Sequence, residues 1–275
     1  MSTAPDAPVP LEQDRWLELP QGRIFARRWR PAAAAVPPAA AGAPIVLLHD
    51  SLGCVEMWRQ FPQALCRATG REVLAYDRLG FGRSTPRDAR PSSDFVAEEA
   101  ALYLPAILDQ LDVRRFVALG HSVGGGMAIH AAARFGSACE ALITMAAQAF
   151  VEELTRQGIR TAREQFKNPA QFARLARYHE GRARWALDAW IETWLSPAFA
   201  DWSMAPVLPQ VGCPVLAIHG ERDEYASIEH ARRIGALSAG PAQVELLAEV
   251  GHFPHREQED RVVALIAAFL AKAVP

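Results

Sequence analysis

Short apolar runs of β type alternate with helix-length segments along much of this 275-residue chain, and that alternation limits the folds open to it. Residues 45–49, 72–76 and 115–119 are strand-like, and each run ends in a turn containing Gly, Asp or Ser. Between them, residues 58–69 and 95–111 space their apolar side chains three and four apart, which gathers them on one helical face. Parallel strands need crossover connections, so this order predicts a mostly parallel central sheet flanked by helices, an α/β fold. The order resumes with strands at 141–147, 214–219 and 243–250 and closes with a helix at about 260–272. Ahead of it, residues 16–29 read as two short strands around the turn Pro20-Gln21-Gly22. Residues 1–13 read as a mobile tail, and the Ala/Pro-rich residues 31–44 as a surface loop.

Residues 150–204 break the alternation with a long helix-like run containing Trp185, Trp190, Trp194 and Trp202. An insertion of that size needs its own apolar packing, so it reads as a helical cap on a core made of residues 14–149 and 205–275. Half the residues are hydrophobic, enough for one substantial core.

The 29 basic and 31 acidic residues leave a formal charge of -2, which argues against nucleic acid or an anionic membrane as partner and for a small molecule. No apolar run is long enough to span a bilayer, and the Ala/Pro-rich start lacks the basic flank and apolar core of a secretory signal. Cys54, Cys66, Cys139 and Cys213 are scattered without metal-ligand spacing. They read as reduced thiols, mostly in the core, of a cytoplasmic protein.

The densest chemical signal is Gly120-His121-Ser122-Val123-Gly124, which directly follows a strand-like run and precedes a small-residue helix expected to begin near Met127. G-x-S-x-G in that context is a nucleophile elbow, a tight turn that presents a serine hydroxyl at the carboxyl edge of a sheet. A hydroxyl needs an adjacent base, and the base needs an acid to fix its tautomer. His252, in the loop Gly251-His252-Phe253-Pro254, is the predicted base. His255 is the local competitor, but it lies beyond Pro254 and reads as solvated. Asp223 is the predicted acid, in the turn Gly220-Glu221-Arg222-Asp223-Glu224, with Glu221 and Glu224 read as solvated neighbours. The order Ser, Asp, His is the one this elbow carries. An oxyanion needs two donors, for which the N–H groups of Val123 and Ser51 are predicted. His49 is expected to hold the Ser51 loop by hydrogen bonds.

With these residues in place, the chain resembles the α/β-hydrolase superfamily from about Trp16 to Lys272. The resemblance is carried by His49-Asp50-Ser51-Leu52-Gly53, Asp77-Arg78-Leu79-Gly80-Phe81-Gly82-Arg83-Ser84, the serine elbow and the Asp223/His252 pair. It implies a capped serine hydrolase among esterases, carbon–carbon bond hydrolases, cofactor-free haloperoxidases and lyase-type enzymes. Dehalogenases and epoxide hydrolases of the superfamily carry an aspartate at the elbow, so Ser122 favours acyl transfer. One departure is Asp50, where many members have glycine. A carboxylate aimed at the oxyanion would oppose it, so Asp50 must turn away, take part in the reaction, be protonated, or be paired, with Arg78 or Arg83 as expected partners.

The resulting expectation is a carboxylesterase-type enzyme that acts on a small acyl substrate through an acyl-enzyme and needs neither metal nor organic cofactor. Asp50, Phe150, Trp185, Trp190 and Trp194 are the expected substrate contacts, with Phe166 and Phe172 as further aromatic residues of the cap. An inward-pointing cap arginine, among them Arg156, Arg160, Arg163, Arg174, Arg177, Arg182 and Arg184, would suit an acidic substrate. A ligand receptor that uses the same fold without turnover is the alternative from another class.

Overall fold

The computed structural model describes residues 9–32 and 42–274. The part of the expected tail at residues 1–8 and most of the expected surface loop, residues 33–41, lie outside the described residues. Eight strands form one sheet: β1 (Leu11–Leu19), β2 (Gly22–Arg30), β3 (Ile45–Leu48), β4 (Val73–Tyr76), β5 (Phe116–His121), β6 (Cys139–Met145), β7 (Val215–Gly220) and β8 (Ala242–Leu247). Their spatial order is β1-β2-β4-β3-β5-β6-β7-β8. The β1–β2 and β2–β4 pairs are antiparallel and every later pair is parallel. The β1/β2 hairpin pairs Leu11 with Arg30, so residues 11–13 are strand rather than tail.

The helices are α1 (Phe61–Thr69), α2 (Phe95–Glu98), α3 (Leu104–Gln110), α4 (Val123–Phe135), α5 (Glu153–Gln165), α6 (Pro169–Ala176), α7 (Ala183–Trp194), α8 (Glu229–Leu237), α9 (Pro254–Glu257) and α10 (Glu259–Ala273). A π-helical turn, Glu99–Tyr103, joins α2 to α3. The central strands are buried on both faces, which is why they read as unbroken apolar runs. Alternation divides them between two cores: Val46 and Leu48 pack into one, Ile45 and Leu47 into the other. The edge strands β1 and β8 are largely exposed and carry polar residues, as suits an unpaired edge.

Helices α5, α6 and α7 lie in the insertion between β6 and β7. Its two ends meet at a short antiparallel neck, where Phe150 bridges Ser203, Met204 N–H donates to the Ala149 carbonyl at 2.7 Å and Val151 N–H to the Trp202 carbonyl at 3.2 Å. Helix α4 begins at Val123, directly after Ser122, four residues earlier than the sequence pattern predicts. Gly124, Gly125 and Gly126 discourage a helix by propensity, but tertiary contact overrides that preference. Gly124 packs so closely on the main-chain carbonyls of Leu48 and His49 that a Cβ there would collide with them. Gly124→Ala should therefore cost about 1–3 kcal/mol of stability, read as a lower urea midpoint at unchanged slope. An unchanged midpoint would show that α4 can move away from β3 freely.

Candidate active site

The turn between β5 and α4 places Ser122 at φ 55°, ψ −127°, a region that a residue with a Cβ rarely occupies. Its N–H donates to the Met145 carbonyl at 2.9 Å and its carbonyl accepts from Gly125 N–H at 2.9 Å, which fixes the main chain on both sides of the side chain. The hydroxyl Oγ lies 3.0 Å from His252 Nε2 and 3.3 Å from the Gln148 amide oxygen. On the far side of the imidazole, His252 Nδ1 is 2.8 Å and 2.9 Å from the two Asp223 oxygens. Asp223 is itself oriented by the N–H groups of Tyr225 (2.8 Å) and Ala226 (3.1 Å), both on its Oδ1. Nδ1–H thus faces the carboxylate, which leaves the Nε2 lone pair directed at Ser122 Oγ. Ser122, Asp223 and His252, chosen from three separate loops of the sequence, form one hydrogen-bonded line.

Burial opposes charge on His252, but the Asp223 carboxylate and its hydrogen bond, then Glu224 and Asp50, more than offset it and raise the imidazole above its ordinary value. Burial likewise opposes charge on Asp223, yet His252 and the main-chain donors hold its carboxyl below the usual range. Glu224 is exposed, as expected, and accepts the His252 N–H at 3.3 Å.

The Ser51 and Val123 N–H groups donate to no acceptor among the described residues. Ser51 lines the cavity in front of Ser122, while Val123 is buried at the first position of α4. Main-chain N–H groups without an acceptor are available to hydrogen-bond a ligand or water. His49 holds the Ser51 loop: its Nδ1–H donates to the Asp50 carbonyl at 2.8 Å, and its Nε2 accepts from Arg78 N–H at 3.1 Å.

Asp50 is not paired with either expected arginine. Its Oδ1 accepts the Leu52 N–H at 2.9 Å, a local turn bond, and its Oδ2 lies 3.4 Å from His121 Nδ1. Arg83 instead reaches Asp14 on β1 at 3.4 Å, and Arg78 reaches the Asp50 main-chain carbonyl at 2.7 Å. His121 Nε2–H donates to the His252 carbonyl at 2.7 Å, and burial outweighs the Asp50 carboxylate in holding the His121 imidazole below its ordinary value. Burial opposes charge on Asp50, but His121, Arg256 and His49 outweigh it and hold the carboxyl below its usual range.

A cavity of about 310 Å³ opens over Ser122 and His252. Trp190, Trp194 and Asp50 line it as expected, together with Phe166. Phe150 and Trp185 do not. Phe150 belongs to the neck, stacked on His230 at 4.1 Å between ring centroids. Trp185 packs edge-on against Phe81 at 5.4 Å, because it lies five positions before Trp190 and hence about 140° around α7. Phe172 is also outside the cavity, under the Arg184 guanidinium at 4.7 Å. His255 is 1% exposed rather than solvated, since α9 turns it inward between Trp58, Phe61 and His121. Among the insertion's arginines only Arg174 lines the cavity, beside Gln165 and Gln171. Gln148 and Tyr225 are site residues that sequence reasoning missed. Gln148 had a signal: it is the lone polar residue in the small apolar stretch after β6.

A family model described as the alpha/beta hydrolase fold matches residues 43–187. The chain belongs to this hydrolase family. Within it, the chain is 25% identical over 256 residues to the 2-hydroxymuconate semialdehyde hydrolase of Pseudomonas sp. (strain CF600), covering 85% of this chain and 88% of that protein. It is 28% identical over 261 residues to the dihydrolipoyllysine-residue acetyltransferase component of the acetoin cleaving system of Pseudomonas putida. That match covers 84% of this chain but only 64% of the relative's length. The hydrolase fold is also that of the enol-lactonase from Burkholderia xenovorans LB400, with a TM-score of 0.72 at 19% identity, over 94% of this chain and all of that one. Among the described residues no helix is long and apolar enough to cross a membrane, and no cluster of His, Cys, Asp and Glu could hold a metal ion.

The buried charges make the His252 imidazole a readable probe. Followed by proton NMR, it should titrate above 6.5 in the wild type and at lower pH in Asp223→Asn, where less opposes the burial. An identical titration in both proteins would contradict the ion pair.

Proposed function

We propose that the chain is a serine hydrolase that cleaves a small acyl substrate, a carboxylic ester in the first instance, through an acyl-enzyme. The observation that carries this reading is the Ser122 hydroxyl set 3.0 Å from the free lone pair of an imidazole that is itself hydrogen-bonded to Asp223. His252 takes the Ser122 proton as Oγ attacks the acyl carbonyl, and Asp223 holds the imidazole and stabilises its charged form. The Ser51 and Val123 N–H groups receive the oxyanion. His252 then protonates the leaving alcohol, and the same nitrogen activates a water that releases the acid. None of these steps calls for a metal or organic cofactor. Residues 150–204 act as a cap whose Phe166, Trp190 and Trp194 offer an apolar wall to the acyl group.

A second reading, hydrolysis of a carbon–carbon bond in an acidic dienoate, is favoured by the similarity to 2-hydroxymuconate semialdehyde hydrolase and by Arg174 in the cavity wall. Rapid turnover of short p-nitrophenyl esters supports ester hydrolysis, whereas bleaching of a coloured dienoate with slow ester turnover supports the second reading.

Ser122→Ala and His252→Ala should each lower kcat on a p-nitrophenyl ester by at least about three orders of magnitude, and Asp223→Asn by about as much, in proteins that melt like the wild type. Ester activity retained in Ser122→Ala would overturn the assignment. Because only neutral His252 can act as base, kcat/KM of the wild type should rise with pH through an apparent pKa above 6.5. A flat profile across that range would remove His252 from the rate-limiting step.

A further inference from the structure

The direction of the Ser51 N–H is set by the peptide it shares with Asp50. That peptide is trans, so the Asp50 carbonyl and the Ser51 N–H point in opposite directions. Three donors converge on the carbonyl: Arg78 Nη2 at 2.7 Å, His49 Nδ1 at 2.8 Å and Gly53 N–H at 3.1 Å. At the other end of the same peptide, Ser51 stands in the wall of the Ser122 cavity and its N–H has no acceptor among the described residues.

One of the three donors carries a full charge in an unusual setting. Arg78 is 5% exposed and lies over the Phe81 ring at 4.4 Å. Its Nε has no partner, and although the nearby buried Glu99 carboxylate and Asp50 favour its charge, no carboxylate hydrogen-bonds to the guanidinium among the described residues. Burying a cation without a hydrogen-bonded counter-ion is costly even with a carboxylate nearby. What the cation does offer is a charge-assisted bond to an amide oxygen. Such a bond draws electron density from the amide nitrogen and makes the N–H at the other end a stronger donor.

We propose that Arg78 is a positioning residue for the reaction: through the Asp50 carbonyl it fixes and polarises the Ser51 N–H that receives the oxyanion. The arrangement also answers the presence of a carboxylate in this loop. Glycine at position 50 would bring no charge near the oxyanion, whereas Asp50 does, and the Arg78 cation lies on the main chain of that same residue. The inference rests on the serine-hydrolase reading of Ser122.

The test compares the wild type with Arg78→Lys and Arg78→Met, using Arg83→Gln on the same loop as the control expected to retain wild-type turnover. Each protein is assayed with a p-nitrophenyl ester, with 1,1,1-trifluorooctan-2-one, whose adduct with Ser122 carries an oxyanion, and with octan-2-ol, which carries none. The Ser51 amide nitrogen shift is read by NMR in the same proteins. Arg78→Met should lose about 100-fold in kcat and Arg78→Lys about 10-fold, with KM within about threefold of the wild type. Affinity for the ketone should fall in step with kcat, affinity for the alcohol should hold, and the Ser51 nitrogen should move upfield in Arg78→Met. Millimolar guanidinium should restore part of the lost kcat in Arg78→Met, a gain that a purely structural loss would not show. The proposal is overturned if kcat and ketone affinity stay within threefold in both variants, or if alcohol affinity falls as far as ketone affinity. It is equally overturned if the Ser51 shift is unmoved. Failure of the underlying reading has a different signature: Ser122→Ala keeps its ester turnover, whatever the Arg78 variants do.

Discussion

The main chain at Ser122 is held where a serine does not settle unaided. A side chain at φ 55°, ψ −127° costs of order 1–3 kcal/mol, and it persists only because β5 enters the turn and α4 leaves it along fixed lines. Those lines require that nothing larger than hydrogen stand at Gly120 or Gly124, because the first meets the main chain of α4 and the second the main chain of β3. The same close approach brings the first turn of α4 beside the loop that follows β3. The loops after β7 and β8 add Asp223 and His252 along the same sheet edge.

Around that edge the charges are few, buried and individually held. Asp223 has two main-chain donors and the imidazole. Asp50 has the Leu52 N–H and His121, and the second nitrogen of His121 holds the His252 carbonyl. The loop bearing the imidazole is thus tied to the residue immediately before Ser122. His121 thus stands between the Asp50 carboxylate and the His252 main chain.

Much of this was legible in the sequence because tight turns, close approaches and hydrogen-bond order leave local marks. The G-x-S-x-G turn, the strand ends that precede Asp223 and His252, and the apolar runs of the central strands each depend on neighbours in sequence. The start of α4 was read four residues late, since three consecutive glycines lower helix propensity and only the contact with β3 overrides it. Partner choice was less visible. The two arginines of the motif that follows β4 were the expected partners of Asp50, yet its carboxylate turns to His121, because side-chain direction depends on how two loops pack. Phe150 and Trp185 share the composition of cavity residues, but one belongs to the neck and the other faces the opposite side of α7 from Trp190. Buriedness of His255 escaped for a similar reason: a proline predicts a turn and says nothing about which way it faces.

The insertion is fastened unevenly. Its neck is hydrogen-bonded at Ala149 and Val151, and Thr155 at the start of α5 donates to the Tyr225 carbonyl at 2.7 Å. Before α7, His179 accepts the Gly82 N–H at 3.0 Å and donates to the Leu52 carbonyl at 2.9 Å, while Arg182 reaches the carbonyls of Ser84 and Gly82. Helix α6 lies between these anchorages with Leu175 as its one buried residue. Gln171 and Arg174, which line the cavity, thus stand on a helix of eight residues whose buried apolar hold on the rest of the molecule rests on a single leucine.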